Sequence, residues 1–165
     1  MKYQVRKAVM ADLPRIEEIY AYARSFMAAN GNPNQWGTDK PYSWQLMEDI
    51  KEELLFVAED QTGIHGVFYF YIGPDPTYQT IYDGAWKLNE TYGTIHRIAG
   101  DGSGGILSAA VAHCLKANSY LRIDTHADNL VMQRALAKQG FQPSGIIYIS
   151  DGTPRIAYER LPERV

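Results

Sequence analysis

The sequence predicts an α/β fold of the α+β type, with seven strands and four helices in the order β-α-α-β-β-β-α-β-α-β-β. Three observations carry this. Apolar residues repeat at helical spacing in four separate windows, short β-rich runs lie between them, and turns containing Asp and Gly join two pairs of those runs directly. Hydrophobic residues at 45% against 21% charged belong to an ordinary globular chain rather than a disordered one. A length of 165 residues favours a single domain, 1–165, large enough to bury a core.

YQVRKA (3–8) reads as the first strand. Asp12 offers an N-cap and Pro14 sits in the first turn of a helix whose Leu13, Ile16, Tyr20, Ala23 and Met27 share one face, with Gly31 as its stop. Asn, Gly and Pro punctuate 30–43, which reads as a loop. A second helix is expected over 43–53, capped by Ser43. LLFVAEDQTGIHGVFYFYIG (54–73) is a hairpin turning around Asp60 to Gly63. The long aromatic stretch 73–92 has no regular period, and loops of that length are often functional. TIHRIA (94–99) is the next strand. The helix from Gly105 to Asn118 follows, with Leu107, Ala110, Val111, Cys114 and Leu115 on its buried stripe. LRIDTH, a helix from Asp128 to Gln139 ended by Gly140, and a hairpin of FQPSGIIYI and RIAYERL around Asp151-Gly152 complete the chain.

Composition excludes several classes. A net charge of −3 gives no global basic field for nucleic acid or an anionic membrane surface. No apolar run is long enough to span a bilayer, and MKYQVRKAVMADL lacks the apolar core of a signal peptide. One cysteine, Cys114, rules out an internal disulfide or a Cys-rich zinc site. The expectation is a cytoplasmic protein with no metal, no nucleic-acid partner and no membrane partner.

The stretch IHRIAGDGSGGILSAAV (95–111) poses the functional question. Gly100-x-Gly102-x-x-Gly105, with Asp124 about 20 residues on, satisfies the spelling of a dinucleotide fingerprint. Too little chain follows Asp124 to complete an NAD-binding half, and His96 and Arg97 interrupt what should be an apolar parallel strand. What survives is the physics. A glycine turn that launches a helix presents main-chain N–H groups at the positive end of the helix dipole, which suits a phosphate.

That block, RIDTHADNLVMQRALAKQGF (122–141) with its Asn129 and Gly140-Phe141, and the element order together resemble the GCN5-related N-acetyltransferases (GNAT). QWGTDKPYS (35–43) and TYGTIHR (91–97) are similar to a small bacterial subgroup of them. The resemblance covers essentially the whole chain. It implies one mixed, mostly antiparallel, twisted sheet and acetyl-CoA as cofactor. The diphosphate would lie on Gly104, Gly105 and the helix start Ile106, Leu107 and Ser108, with the pantetheine along 94–99. N–H groups near Ile98 and Ala99 would polarise the thioester carbonyl, and Asn129 would bridge the strand end to the cofactor region. Residue by residue the match is incomplete. The family's loop usually reads Gln/Arg-x-x-Gly-x-Gly/Ala, whereas Leu107 replaces the last small residue and no Gln or Arg precedes it. Leu136 stands seven residues after Asn129, where many members carry a tyrosine acid. These departures keep a non-catalytic acyl-CoA sensor open beside the enzyme.

Acetyl transfer requires a neutral amine, yet a lysine-like amine is protonated at neutral pH. His96, Asp124, His126 and Tyr148, near strand ends, are the proton-transfer candidates, with His126 favoured for its near-neutral titration and Tyr148 able to replace the missing tyrosine. Asn129 can equally cap its helix. Cys114, on a buried stripe, is a poor nucleophile. For a small-molecule or peptide amine acceptor, the 30–43 and 73–92 loops offer Trp36, Tyr42, Tyr78, Tyr82 and Trp86 as a wall and Asp75, Asp83 and Glu90 as cation attractors. The same aromatics can simply fasten the loops to the sheet. A homodimer stays open.

Overall fold

A computed structural model describes residues 2–164. The elements are β1 (Gln4–Lys7), α1 (Leu13–Ala29), α2 (Ser43–Lys51), β2 (Leu55–Asp60), β3 (Gly63–Ile72), β4 (Gly93–Gly100), α3 (Ile106–Leu115), β5 (Leu121–Thr125), α4 (Leu130–Lys138), β6 (Gln142–Tyr148) and β7 (Pro154–Arg160). Single 3₁₀ turns at Met10–Asp12 and Pro76–Tyr78 supplement them. The order and the fold class are those the sequence predicts.

The strands form one sheet in the order β1-β2-β3-β4-β5-β7-β6. Every pairing is antiparallel except β4 with β5, whose crossover through α3 supplies the connection a parallel pair needs. That pairing covers Gly93–Leu121 and Thr94–Arg122; β4 then continues to Gly100 and β5 to Thr125 without a partner in each other. Gly93 leaves no room for a side chain, since a Cβ there would collide with the Phe70 ring of β3. Beyond it the two strands splay into a wedge. One parallel pair in an otherwise antiparallel sheet is not the doubly wound framework that binds dinucleotides.

Strand alternation sends side chains to two cores. Leu55, Val57 and Val67 pack under α1 and α2 with Ile16, Ile19, Tyr20, Leu46 and Ile50. Phe56, Phe68, Phe70, Ile95 and Leu121 pack beneath α3 and α4 with Ala110, Cys114 and Leu136. Each fully buried Leu, Ile or Phe among them stabilises by about 1.5–3 kcal/mol. Among the described residues no helix is long and apolar enough to cross a membrane.

Local differences from the sequence reading concern caps. Ser43 is the first helical residue of α2, not its cap, and its hydroxyl donates to Glu17 Oε1 at 2.8 Å. Asp12 precedes α1 as expected, but its carboxylate accepts from the Val9 amide and Arg6, closing the preceding 3₁₀ turn instead. The cap of α4 is Asn129, so Asp128 lies outside that helix.

Candidate active site

The wedge between β4 and β5 holds a cavity of about 400 Å³ walled by β4 residues Ile95–Ile98 and β5 residues Ile123–Thr125, and closed by Trp36 and Tyr42 from the 30–42 loop. A β-bulge shapes its floor. Val67 pairs with Ala99 but Tyr69 with His96, so Arg97 and Ile98 together face Phe68 and the ladder is locally broken. Arg97 has φ +51°, an uncommon conformation for a residue with a Cβ. Three contacts hold it there: Tyr20 OH donates to its carbonyl at 2.6 Å, its guanidinium pairs with Asp49, and Cζ lies 4.8 Å from the Tyr69 ring centre. Burial pushes the Asp49 carboxyl up even against Arg97.

His96 and Asp124 line this cavity from the two facing strands. His96 Nε2 lies 2.7 Å from Asp75 Oδ2, and Nδ1 lies 3.9 Å from Asp124 Oδ2. Asp124 Oδ2 accepts from Tyr78 OH at 2.6 Å. Burial pushes Asp75 up, but the hydrogen bonds from His96 and the Thr77 amide outweigh it and keep this carboxyl below its usual range. Tyr78, fully buried beside Asp124, is raised well above an ordinary phenol. With the ring neutral, an ionised Asp75 assigns the proton to Nε2 and leaves the Nδ1 lone pair free on the side of Asp124.

A second cavity, about 380 Å³, adjoins the first at Met27, Ile98 and Met132 and runs along Ala99 and Gly100 to Gly104, Ile106 and Leu107. Gly105 is the N-cap of α3 at φ +81°, and no side chain caps the helix. An α-helix leaves its first N–H groups without internal acceptors. A Cβ on Gly104 would meet nothing within 4 Å. Gly104 is held through its carbonyl, which accepts from Tyr3 OH at 2.7 Å. The corner at Gly104, Gly105 and Ser108 is exposed to solvent, so an anion can reach these amides.

The remaining predicted residues divide. Asn129 caps α4: Oδ1 accepts from the Met132 amide at 3.0 Å, and Nδ2 donates to Gln35 Oε1 at 3.0 Å, while the residue also lines the second cavity. Trp36 and Tyr42 line the first cavity. Of the 73–92 segment only Thr77 reaches that lining. Trp86 stacks on Arg122, with Cζ 3.9 Å from the ring centre, and donates to the Tyr78 carbonyl. Tyr82 and Tyr148 are half exposed and edge-to-face with each other, lining neither cavity. His126 also lines neither; its Nδ1 accepts from the Asp128 amide at 3.0 Å. Glu90 pairs with Arg164 at the surface. The Cys114 thiol is fully buried, and burial pushes it far above a reactive range.

Two participants escaped sequence reasoning. Gln35 Oε1 accepts from Asn129 Nδ2 and Asn32 Nδ2 and lies 3.4 Å from Thr125 Oγ1, pinning the 30–42 loop over β5 and α4. Asp75 was expected only as a cation attractor, and its bond to His96 joins residues 21 apart in sequence.

No protein-family model and no curated protein matches the chain. Solved structures do. A GNAT-family acetyltransferase from Streptococcus agalactiae 2603 is 27% identical with a TM-score of 0.86, covering 98% of this chain and 96% of that one. The chain has the GNAT fold. A GNAT-family acetyltransferase from Listeria monocytogenes 4b F2365 is 18% identical at TM-score 0.68 over 96% of this chain and 94% of that one. A GNAT-superfamily phosphinothricin acetyltransferase from Sinorhizobium meliloti, in complex with AcCoA, is 18% identical at TM-score 0.57 over 98% and 89%. In this GNAT fold Leu136 is fully buried in the core, and Leu107, partly buried, packs against the same core.

Proposed function

We propose that the chain is a single N-acetyltransferase domain over 1–165 that moves an acetyl group from acetyl-CoA to a primary amine by direct attack. One observation carries the proposal: two cavities meet at Ile98, one ending at an uncapped helix start and the other at a histidine held between two carboxylates. Acetyl-CoA supplies a thioester whose thiolate, from a thiol of pKa near 8.5, departs with little acid help. That chemistry tolerates leucine at 136.

The residues divide the work by position. Gly104 and Gly105 leave room for a diphosphate, and the amides of Ile106, Leu107 and Ser108 donate to it. The bulge at Arg97 and Ile98 turns main-chain groups toward the wedge, where an N–H near Ile98 and Ala99 steadies negative charge on the carbonyl oxygen; one such donor is worth about 3–4 kcal/mol. Asp124 draws the ammonium group to the open side of His96. Nδ1 takes its proton, and Asp75 and Asp124 flank the imidazolium that results. The amine nitrogen then bonds the acetyl carbon as the carbon–sulfur bond breaks; coenzyme A leaves as the thiolate, which takes the second proton that the nitrogen sheds in becoming an amide. Tyr148 and His126, away from both cavities, take no part in this scheme. A cytoplasmic location, where acetyl-CoA is available, belongs to the same proposal.

Leu107 and Leu136 favour a second reading, an acyl-CoA sensor without turnover. Incubating the protein with acetyl-CoA, a panel of amines and a thiol reagent separates the two. Amine-dependent thiol release is the expected result; tight acetyl-CoA binding with no release from any amine would leave the sensor.

A further inference from the structure

Arg155, at the start of β7, is only 4% exposed yet lines the wedge cavity. Its hydrogen bonds go to neutral oxygens. Nη1 donates to Thr153 Oγ1 at 3.1 Å and to the Pro154 carbonyl at 2.8 Å, and Nη2 donates to the Gln35 carbonyl at 3.2 Å. Among the described residues no carboxylate forms an ion pair with it. The two acids that act on it are engaged elsewhere: Asp124 accepts from Tyr78, and Asp151 accepts from the Thr153 amide and hydroxyl while facing Lys40 Nζ at 4.0 Å.

The other buried or half-buried arginines near the sheet centre are neutralised differently. Arg97 has Asp49, and Arg122 lies between the faces of Trp86 and Tyr92, 3.9 Å from each ring centre. Arg155 has neither a carboxylate nor an aromatic face among the described residues. Burial pushes it below the usual guanidinium value, against the pull of Asp124 and Asp151, and it nonetheless stays charged near neutral pH. A desolvated charge with neutral partners alone is strongly unfavourable unless a counter-ion arrives. Its position in the wall of a cavity gives that counter-ion a route.

We propose that the acceptor is a compact amino-carboxylate, an α-amino acid or close analogue, whose carboxylate binds Arg155 with Lys40 at the cavity mouth. Its amine then faces His96 and Asp124. The cavity of about 400 Å³ accommodates both ends of such a molecule together with a side chain against Trp36 and Tyr42. This inference rests on the acetyltransferase reading and deepens it.

The test compares L-amino acids with their own carboxamides, which keep the shape and remove the charge. The carboxamide's amine is the less basic of the two, which by itself favours the amide and makes the comparison stringent. Expected is a kcat/KM for the best amino acid about tenfold to a hundredfold above its carboxamide, the worth of a charge-assisted hydrogen bond. Arg155→Gln should collapse that ratio toward one, and Arg155→Lys should restore part of it. Carboxamides that match or exceed their amino acids in the wild-type protein would overturn the inference, whether or not the variants fold, and would leave the acetyltransferase reading standing. Calorimetry on the CoA-loaded protein, with N-acetyl amino acids against N-acetyl carboxamides, decides the point without turnover. Preferential binding of the carboxylate with no thiol release from any amine would keep the Arg155 site and remove the enzyme; equal or no binding of both would remove the site.

Discussion

Placing a carboxylate on residue 105 should separate the anion site from the stability of the helix that builds it. Gly105 is left-handed, and a side chain there costs about 1–2 kcal/mol of backbone strain. Space is not the obstacle, because the added Cβ would meet only the edge of Tyr3 at 3.4 Å. Gly105→Ala should therefore lose about 1–2 kcal/mol of stability and bind acetyl-CoA nearly normally. Gly105→Asp recovers about 0.3–1 kcal/mol, since a negative charge at a helix start opposes the macrodipole. The same charge repels a diphosphate. At about 5 Å and an effective dielectric of 20–80, each phosphate charge meets about 1–3 kcal/mol of repulsion, a 5- to 150-fold loss of affinity. The two variants should thus rank oppositely: Asp at least as stable as Ala, Ala the tighter binder. Thermal unfolding gives the first order, and calorimetry with acetyl-CoA at low and high salt gives the second, the gap narrowing as salt screens the repulsion. A folded Gly105→Asp protein with wild-type affinity would refute the siting of the diphosphate.

Three further outcomes follow from the geometry. His96→Ala should lower kcat by about a hundredfold or more with acetyl-CoA affinity intact, while His126→Ala and Tyr148→Phe change it by less than about threefold; steady-state kinetics with a parallel titration distinguishes them. Gln35→Ala strands the Asn129 amide and frees the 30–42 loop, so stability should fall by about 1–3 kcal/mol and acceptor KM rise, as urea unfolding and kinetics would register. The hydrogen bond to Asp101 at 2.7 Å, aided by Asp60, raises His65 above its ordinary 6.5. That contribution is full below about pH 6.5 and is lost as pH climbs through the raised value, so the stability gap between wild type and His65→Gln should shrink as the pH rises above about 6.5. A constant gap would show that His65 acts by packing alone.

The fold was legible because its elements announce themselves locally. The four helical stripes, the Asp60–Gly63 and Asp151-Gly152 turns and the glycine run before α3 each sit within a few residues of what they specify. The helix-start corner was legible for the same reason: Gly104, Gly105 and the amides they expose are contiguous in the chain. The polar side of the wedge was only half readable. His96 and Asp124 were visible as polar residues near strand ends, but their hydrogen-bond partners, Asp75 and Tyr78, are brought in from the irregular segment between β3 and β4. Trp86 carries no local sign that its ring will stack on Arg122, 36 positions away in sequence, rather than face a ligand. Arg155 was invisible as a site residue because its meaning lies in what it lacks, a carboxylate partner, and sequence cannot show a missing contact.

A crystal structure of the protein with acetyl-CoA tests the central claim most directly. The account requires diphosphate oxygens within hydrogen-bonding distance of the amides following Gly104 and Gly105, and the thioester in the wedge beside Ile98 and His96. A cofactor bound elsewhere on the surface, or crystals grown at saturating acetyl-CoA with that helix start still empty, would contradict it.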